Sequence, residues 1–257
     1  MMDYEQFKKI IFQMTGIDLN CYKEQQMKRR IESLISRNKV SGFQEFVDLI
    51  KKDDKAFQQF VSYLTINVSE FYRNPDQWDY LDKTVFPELI SKFGKRLNIW
   101  SAACSTGDEP YSLVMALSKH VPMEYIKIHA TDIDSEILEK AKVGLYDEKS
   151  IVSVPTSFKT KYFEKIANSY RINDEIKGRV DFEKHNLLAD RYPVNQHMIV
   201  CRNVLIYFTD DAKDKIFKSY YDSLVHGGLL FIGSTEQIIN YEKIGFVRKN
   251  SFFYEKP

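Results

Sequence analysis

From about Lys95 to the end, short apolar segments alternate with amphipathic ones, and this alternation constrains the fold more than any other feature. RLNIW and IKIHATDI are predicted to be strands, whereas SEILEKAKVGLY has apolar residues at helical spacing. Strands that alternate with helices predict an α/β fold with a doubly wound, mostly parallel sheet. The closing segment GFVRKNSFFYEK alternates aromatic residues without an intervening helix, which predicts an antiparallel hairpin at the sheet edge.

The beginning of the chain has a different pattern and predicts a small all-α domain. Apolar residues recur every three or four positions in FKKIIFQMTG and in FQEFVDLIKK, and no strand pattern interrupts them. We therefore predict a helical N-terminal domain over residues 1–78 and an α/β domain over residues 79–257. A small additional β element is predicted near residues 168–185.

Composition argues against several classes of protein. The 37 basic and 36 acidic residues nearly cancel, so no overall field favours a nucleic-acid partner. The three cysteines form no CxxC pair, which argues against a zinc site and fits a reducing compartment. MMDYEQF is too acidic for a signal peptide, and MIVCRNVLIYF is too short to cross a membrane. We expect a soluble, cytoplasmic, monomeric protein that holds no metal.

The segment SAACSTGDEPYS joins a predicted strand to a predicted helix, where nucleotide-binding folds place their ligand loop. Such loops usually carry several glycines, which let the backbone approach a phosphate. This loop has one glycine, Gly107, followed by Asp108 and Glu109, and these carboxylates would repel a pyrophosphate. The loop suits a ligand with a ribose and a positively charged amino group but no phosphate. S-adenosylmethionine is such a ligand.

Polar residues also follow the other predicted strands, at the edge where open α/β sheets bind ligands. Asp132 can accept hydrogen bonds from both hydroxyls of a ribose; the alternative is a helix cap, a role that Asp134 suits better. Asn186 can hold an adenine edge, although asparagine at a strand end is more often a turn former. Arg202 and Asn203 interrupt an otherwise buried strand, and a polar pair there requires a reason.

Several segments, taken together and in this order, resemble the chemotaxis receptor methyltransferases (the CheR family): TINVSEFYR, SAACSTGDEPYS, ATDID, NLL, CRNVLIYF and GGLLFIGSTE. The resemblance covers nearly the whole chain. It implies a class I S-adenosylmethionine-dependent methyltransferase fold behind the all-α domain. It also implies methyl transfer to glutamate side chains in the cytoplasmic helical region of chemoreceptors, without membrane insertion. The products are glutamyl γ-methyl esters and S-adenosylhomocysteine, and the process is sensory adaptation.

The resemblance further implies which residues form the site. The cofactor-binding residues are Asn67, Ser69, Arg73, Glu109, Asp132, Asn186, Leu187, Asn203 and Val204. Arg73 and Tyr207 are expected at the reacting end; without the resemblance, Arg73 would be interpreted as a surface charge paired with Glu70 or Asp76. A glutamate substrate, with a pKa of about 4.3, is already ionised at neutral pH, so we assign no general base.

A basic helical segment predicts the surface that docks the substrate. Lys23–Lys39 contains six basic residues and two acidic ones. Such runs are usually solvated helix faces, but this one stands out in a nearly neutral chain. A receptor helix with methylatable glutamates is acidic, and a basic face would attract it. The predicted docking residues are Lys28, Arg29, Arg30 and Arg37.

Other functions remain open at this point. A nicotinamide-dependent oxidoreductase shares the architecture, but this chain has no GxGxxG motif. A nucleic-acid methyltransferase is disfavoured because NPDQ, at residues 74–77, is only superficially like the NPPY-type motif and lies in the wrong part of the chain. A catalytically inactive adaptor remains compatible with the sequence, although Arg73, Asn203 and Tyr207 argue for activity.

Overall fold

The computed structural model describes residues 2–257, which divide into two compact units. The first unit contains the residues up to Asn67 together with Ile206–Ile216, and it is built on amphipathic helices. Their bounds are α1 Tyr4–Thr15, α2 Glu24–Arg37, α3 Phe43–Lys52 and α4 Asp54–Thr65, with a 3₁₀ turn at Leu19–Cys21. Phe7, Phe46 and Phe60 are buried and pack ring against ring. The apolar spacing predicted from the sequence thus forms one small aromatic core.

The second unit contains Val68–Leu205 and Phe217–Pro257. Its strands are β1 Ile99–Ala102, β2 Ile128–Asp132, β3 Leu145–Asp147, β4 Phe163–Ile166, β5 Ser169–Ile172, β6 Val180–Lys184, β7 Gln196–Cys201, β8 Leu224–Ile232, β9 Val247–Arg248 and β10 Phe253–Glu255. The main sheet has the order β6-β2-β1-β7-β8-β10-β9. Its first five strands are parallel, and β10 is antiparallel to both β8 and β9. The predicted parallel sheet with an antiparallel C-terminal edge is confirmed.

Helices of the second unit follow most of these strands. Their bounds are α5 Pro75–Tyr80, α6 Phe86–Phe93, α7 Asp108–Leu117, α8 Ser135–Val143, α9 Thr156–Tyr162, α10 Asp174–Lys177 and α12 Tyr241–Ile244, with a π-helical turn at Leu81–Val85 between α5 and α6. Helix α11, Asp210–Ser223, begins in the first unit and ends in the second. Helix α7 is buried over almost its whole length, since apolar residues cover its circumference. It therefore holds the residues at its amino end firmly in place.

Residues 68–78 belong to the second unit by their contacts, whereas the sequence assigned them to the helical domain. Phe71, Tyr72 and Trp78 are buried in the hydrophobic core of the second unit. The backbone N–H of Phe71 also donates to the carbonyl oxygen of Ser150, at 3.1 Å. The apolar side chains of this segment therefore fix it to the unit that contains the main sheet.

A second, three-stranded antiparallel sheet has the order β3-β5-β4. Strand β5 falls within the range in which a small β element was predicted. Strand β6 falls in the same range but pairs in parallel with β2 in the main sheet. Among residues 2–257, no helix is both long enough and apolar enough to span a membrane.

Candidate functional site

A small open cavity, of about 30 Å³, lies in the second unit, next to the loops that follow β1 and β7. It is lined by Val68, Ser69, Glu70, Arg73, Ala103, Cys104, Ser105, Glu109, Arg202 and Asn203. The order of the strands in the sheet reverses between β1 and β7. After β1 the chain adds β2 and β6 on one side, and after β7 it adds β8 on the other side. Ligands of open α/β sheets bind at such a reversal. The cavity is therefore the candidate site.

The loop after β1 has an unusual backbone. Ala103, Ser105 and Gly107 all have left-handed dihedrals, with φ of 61°, 50° and 86°. For the two residues with side chains this costs on the order of 1 kcal/mol each, so the surrounding structure must hold them there. The N–H of Cys104 donates to the carbonyl oxygen of Thr131, at 2.9 Å, which ties the loop to the end of β2.

Glu109 brings a carboxylate to the cavity from the first turn of α7. Its Oε1 accepts a hydrogen bond from Ser101 Oγ at 2.8 Å, and its Oε2 lies 3.7 Å from Nη1 of Arg202. Burial raises the pKa of Glu109, while Arg202 and Ser101 oppose that rise. The side chain retains 12% exposure, so this fixed negative charge can still contact a ligand.

Arg202 is buried and connects several segments around the cavity. Its Nη2 donates to the carbonyl oxygen of Arg73 and to Oε1 of Gln77, each at 2.7 Å. Its guanidinium also lies over the ring of Phe231, 4.7 Å from the centroid. Sequence reasoning noted that Arg202 breaks an apolar strand but did not place it in the site. A charged residue inside a buried strand was the available signal.

Arg73 lines the cavity with a side chain that has few partners. Among the described residues, its guanidinium makes one long hydrogen bond, 3.4 Å to the carbonyl oxygen of Val68, and no ion pair with Glu70 or Asp76. Its own carbonyl oxygen accepts hydrogen bonds from Trp78 Nε1 and from Arg202, so the backbone is fixed. Most of the guanidinium N–H groups therefore remain able to bind an anionic group.

Asp132 is buried at the end of β2. Its Oδ2 accepts from the N–H of Ser105 at 2.9 Å, and its Oδ1 accepts from the N–H of Asp134 at 3.0 Å. Asp134 caps α8 through the N–H groups of Glu136 and Ile137, as predicted. Asp132 thereby also connects the loop after β1 to β2. Burial raises the pKa of Asp132 to about 6.

Asn186 and Leu187 follow β6, and neither belongs to the cavity lining. Asn186 forms a turn, in which its Oδ1 accepts from the N–H of Leu188 at 2.9 Å. The carbonyl oxygen of Leu187 accepts from the hydroxyl of Tyr192, at 2.6 Å. In the sheet, β6 and β7 are three strands apart, or about 14 Å at the usual spacing. The ends of β6 and β7 therefore lie well apart along the carboxyl edge of the sheet.

Asn203 begins a tight turn after β7, with a left-handed φ of 62°. The backbone N–H groups of Asn203, Val204 and Leu205 all donate to the carboxylate of Glu236, at 2.8 to 3.0 Å. Glu236 was not predicted as a site residue, although it ends the segment GGLLFIGSTE. The periodicity of the sequence does not indicate which backbone groups a distant carboxylate meets.

Among the predicted residues, Asn67 and Tyr207 belong to the first unit rather than to the unit with the cavity. Asn67 Nδ2 donates to Oγ1 of Thr65 at 2.9 Å, and the carbonyl oxygen of Tyr207 accepts from the N–H of Lys23 at 2.9 Å. Ser69 lines the cavity and hydrogen-bonds to the carboxylate of Asp108.

The predicted docking residues on α2 differ in their contacts. Arg30 donates to the carbonyl oxygen of Tyr63 at 2.7 Å and lies 4.5 Å from the centroid of that ring. It therefore stabilises the packing of α2 against α4. Lys28 is half-buried and lies 5.5 Å from the ring of Tyr4. Arg29 and Arg37 are exposed.

Two family models match this chain. The model for the CheR methyltransferase SAM-binding domain matches residues 67–252, and that for the CheR methyltransferase all-alpha domain matches residues 2–65. Chemotaxis protein methyltransferases of Listeria innocua and Listeria monocytogenes are each 41% identical to it over 254 residues, which cover 99% of this chain and 97% of the relative. Chemotaxis protein methyltransferase 2 of Vibrio cholerae is 32% identical over 268 residues, covering 99% of this chain and 93% of that protein.

Proposed function

This chain belongs to the CheR methyltransferase family, and from that premise we propose that it methylates chemoreceptors during chemotaxis adaptation. It transfers a methyl group from S-adenosylmethionine to glutamate carboxylates and so produces glutamyl γ-methyl esters and S-adenosylhomocysteine. The observation that carries the proposal is the cavity at the reversal of the sheet order, in which Glu109 and Arg73 present opposite charges to one ligand. The first unit docks the receptor, and the second binds the cofactor.

The charges around the cavity fit the amino-acid part of S-adenosylmethionine. That part carries an ammonium and a carboxylate. Glu109 is an anchored anion that matches the ammonium, and the Arg73 guanidinium can bind the carboxylate bidentately. The loop after β1 lacks the repeated glycines of a phosphate-binding loop, which fits a cofactor without phosphate.

The remaining predicted residues are proposed to hold the adenosine part along the carboxyl edge of the sheet. Asp132 accepts the ribose hydroxyls, since each carboxylate oxygen can accept more than the one backbone N–H described above. Asn186 and Leu187 lie beyond it, after β6, and enclose the adenine. Asn203 and Val204 follow β7 and enclose the adenosine part from the side nearer the cavity.

When bound, the cofactor supplies a methyl group on a positively charged sulfur. The receptor glutamate is ionised at neutral pH, so this chain needs no residue that removes a proton. Its residues must instead align the carboxylate and exclude water. Arg73 holds mainly the cofactor's carboxylate, because a firm ion pair with the attacking oxygen would stabilise the ground state. Tyr207 supplies a neutral hydrogen bond at the reacting end.

The exposed part of α2 is the proposed docking surface for the receptor. Arg29 and Arg37 are exposed, so their charges can attract an acidic helix. Lys28 is half-buried, so its charge contributes less to this attraction. Arg30 contributes through the packing of α2, because its guanidinium is engaged by Tyr63.

The test is incubation with methyl-labelled S-adenosylmethionine and receptor cytoplasmic fragments, followed by mild base. A carboxyl ester releases its label in base, whereas a methylated amine keeps it. We expect base-labile label on the receptor fragment and none on a fragment whose glutamates are replaced by alanine. Base-stable label, or binding of NAD instead of S-adenosylhomocysteine in calorimetry, would contradict the proposal.

A further inference from the structure

Glu236 follows β8 and is buried. Among residues 2–257, no described hydrogen bond joins its carboxylate to a charged side chain of the cavity lining. Its carboxylate is instead surrounded by backbone N–H groups. Oε2 accepts from Asn203 at 2.8 Å and from Gly233 at 2.7 Å. Oε1 accepts from Val204 at 3.0 Å and from Leu205 at 2.8 Å. A carboxylate has about four lone-pair sites, so these donors saturate it.

The turn that Glu236 holds is one that does not form readily by itself. Three consecutive N–H groups converge on one carboxylate, and Asn203 adopts a left-handed φ of 62°. Converging N–H dipoles repel one another unless an anion lies between them. The negative charge of Glu236 supplies that anion, and the four hydrogen bonds offset the cost of burying it.

Gly233 provides the second half of this arrangement. A Cβ at position 233 would lie 2.7 Å from Oε2 of Glu236 and 2.8 Å from the backbone nitrogen of Asn203. It would also lie 3.0 Å from Cγ of Asn203, so the Asn203 side chain packs directly on this glycine. The end of β8 therefore approaches the turn more closely than any residue with a side chain allows.

We propose that Glu236 is a positioning residue that holds Asn203 and Val204 in the conformation that binds the cofactor. The proposal rests on the proposed function, because it concerns the same cofactor. Asn203 lines the cavity and Glu236 does not, so Glu236 acts through the backbone of the turn. Loss of its charge leaves the converging N–H groups with fewer acceptors and moves Asn203 out of the cavity lining.

The test compares two variants that disturb the turn by different means. E236Q keeps the side-chain shape but places an NH2 group against backbone donors, so fewer acceptors remain. G233A leaves the carboxylate intact and pushes on Asn203 sterically. The control is D82N, which removes a partly buried carboxylate of the same unit that pairs with Lys119 and His120 away from the cavity.

The measurements are the calorimetric affinity for S-adenosylhomocysteine, the melting temperature, and the KM and kcat for methylation of a receptor fragment. In E236Q and in G233A we expect the Kd and the cofactor KM to rise at least about tenfold, because buried donors lose their acceptor or shift from it. The KM for the receptor should stay within about twofold. The melting temperature of D82N should fall, and its cofactor KM should stay unchanged.

The outcomes separate the possibilities. If the melting temperature and kcat of E236Q and G233A fall but their cofactor KM equals that of the wild type, the carboxylate is a structural element only. The inference is then overturned. The same holds if neither variant folds at any temperature. If the wild-type protein itself does not bind S-adenosylhomocysteine, the proposed function fails. If the wild type and E236Q bind it equally well, the proposed function stands and only the inference about Glu236 is overturned.

Discussion

Two loops at the candidate site, those after β1 and β7, are held by buried carboxylates in different ways. Asp132 accepts backbone N–H groups from Ser105 and Asp134, one on each oxygen, and the N–H of Ile133 also interacts with this carboxylate. Glu236 accepts four, from Gly233 and from three consecutive residues of the turn after β7. Because a carboxylate offers about four acceptor positions, Asp132 retains some for a ligand and Glu236 retains none.

This difference teaches that a buried acidic residue near a site is not by itself a ligand-binding residue. Burial raises the pKa of both carboxyl groups, and backbone N–H groups oppose the rise in both. What distinguishes the two residues is the number of acceptor positions already in use. Asp132 is therefore expected to act on the ligand directly, and Glu236 only through the shape of the turn.

The largest expected effect is that of D132N on binding of the adenosine part. Asp132 both fixes the loop after β1 and accepts the ribose hydroxyls in our proposal, so the variant loses charged hydrogen bonds of both kinds. We expect binding of S-adenosylhomocysteine to weaken about 100-fold. The affinity for methylthioadenosine, which has the ribose but no amino-acid part, should fall by the same factor in calorimetry.

The matched control for this variant is D134N. Asp134 is also buried and also accepts backbone N–H groups, but it caps α8. We expect D134N to change the melting temperature little, because asparagine caps a helix about as well as aspartate, and to leave the affinity for methylthioadenosine unchanged. Equal loss of affinity in D132N and D134N would show that Asp132 is structural only, and the contrast with Glu236 would disappear.

The next largest effect concerns Glu109, which tests the opposite end of the ligand. E109Q removes the negative charge that faces the proposed ammonium but keeps an acceptor for Ser101. We expect the affinity for S-adenosylhomocysteine to fall about tenfold, because a hydrogen bond to a charged group is lost. Methylthioadenosine should bind as it does to the wild type. A loss for both ligands would mean that Glu109 contacts the adenosine part or stabilises the loop.

Much of this arrangement could be predicted from the sequence, and the rest depends on contacts between distant segments. Alternating strands and helices predicted the sheet and its antiparallel edge, because periodicity reflects which faces are buried. Local hydrogen bonds were accessible too, as with the Asp134 cap. The roles of Arg202 and Glu236 were not, since their partners include Gln77 and Asn203, on other segments. Sequence patterns show that a buried charge needs partners but not which ones.

The basic face of α2 extends the comparison from acidic to basic residues. Arg30 donates a hydrogen bond to Tyr63, whereas Arg29 is exposed and Arg37, also exposed, lies 5.6 Å from the centroid of the Tyr63 ring. In the double variant R29E and R37E we expect the KM for receptor fragments to rise about fivefold at low salt, less at high salt. Affinity for S-adenosylhomocysteine and the melting temperature should stay unchanged. R30A, in contrast, should lower the melting temperature. An unchanged receptor KM in the double variant would place docking elsewhere.

The smallest expected effect is the pH dependence of Asp132, which tests whether its spare acceptor positions matter. Burial raises its pKa to about 6, so the folded protein takes up this proton before the unfolded chain does. The resulting stability is fully present below the unfolded pKa of about 3.9 and is lost as the pH rises through 6. Ligand affinity changes in the other direction, because the protonated carboxyl accepts fewer hydrogen bonds.

We therefore expect methylthioadenosine to bind about threefold more weakly near pH 5.7 than near pH 8 in the wild type, as measured by calorimetry, because only about a third of the carboxyl is ionised at the lower pH. Asp108 is the neighbouring group that could produce the same slope, since burial raises its pKa to about 6 as well. D132N retains Asp108 and should show no slope. If the slope persists in D132N, Asp108 is the titrating group, and Asp132, like Glu236, would serve the backbone alone.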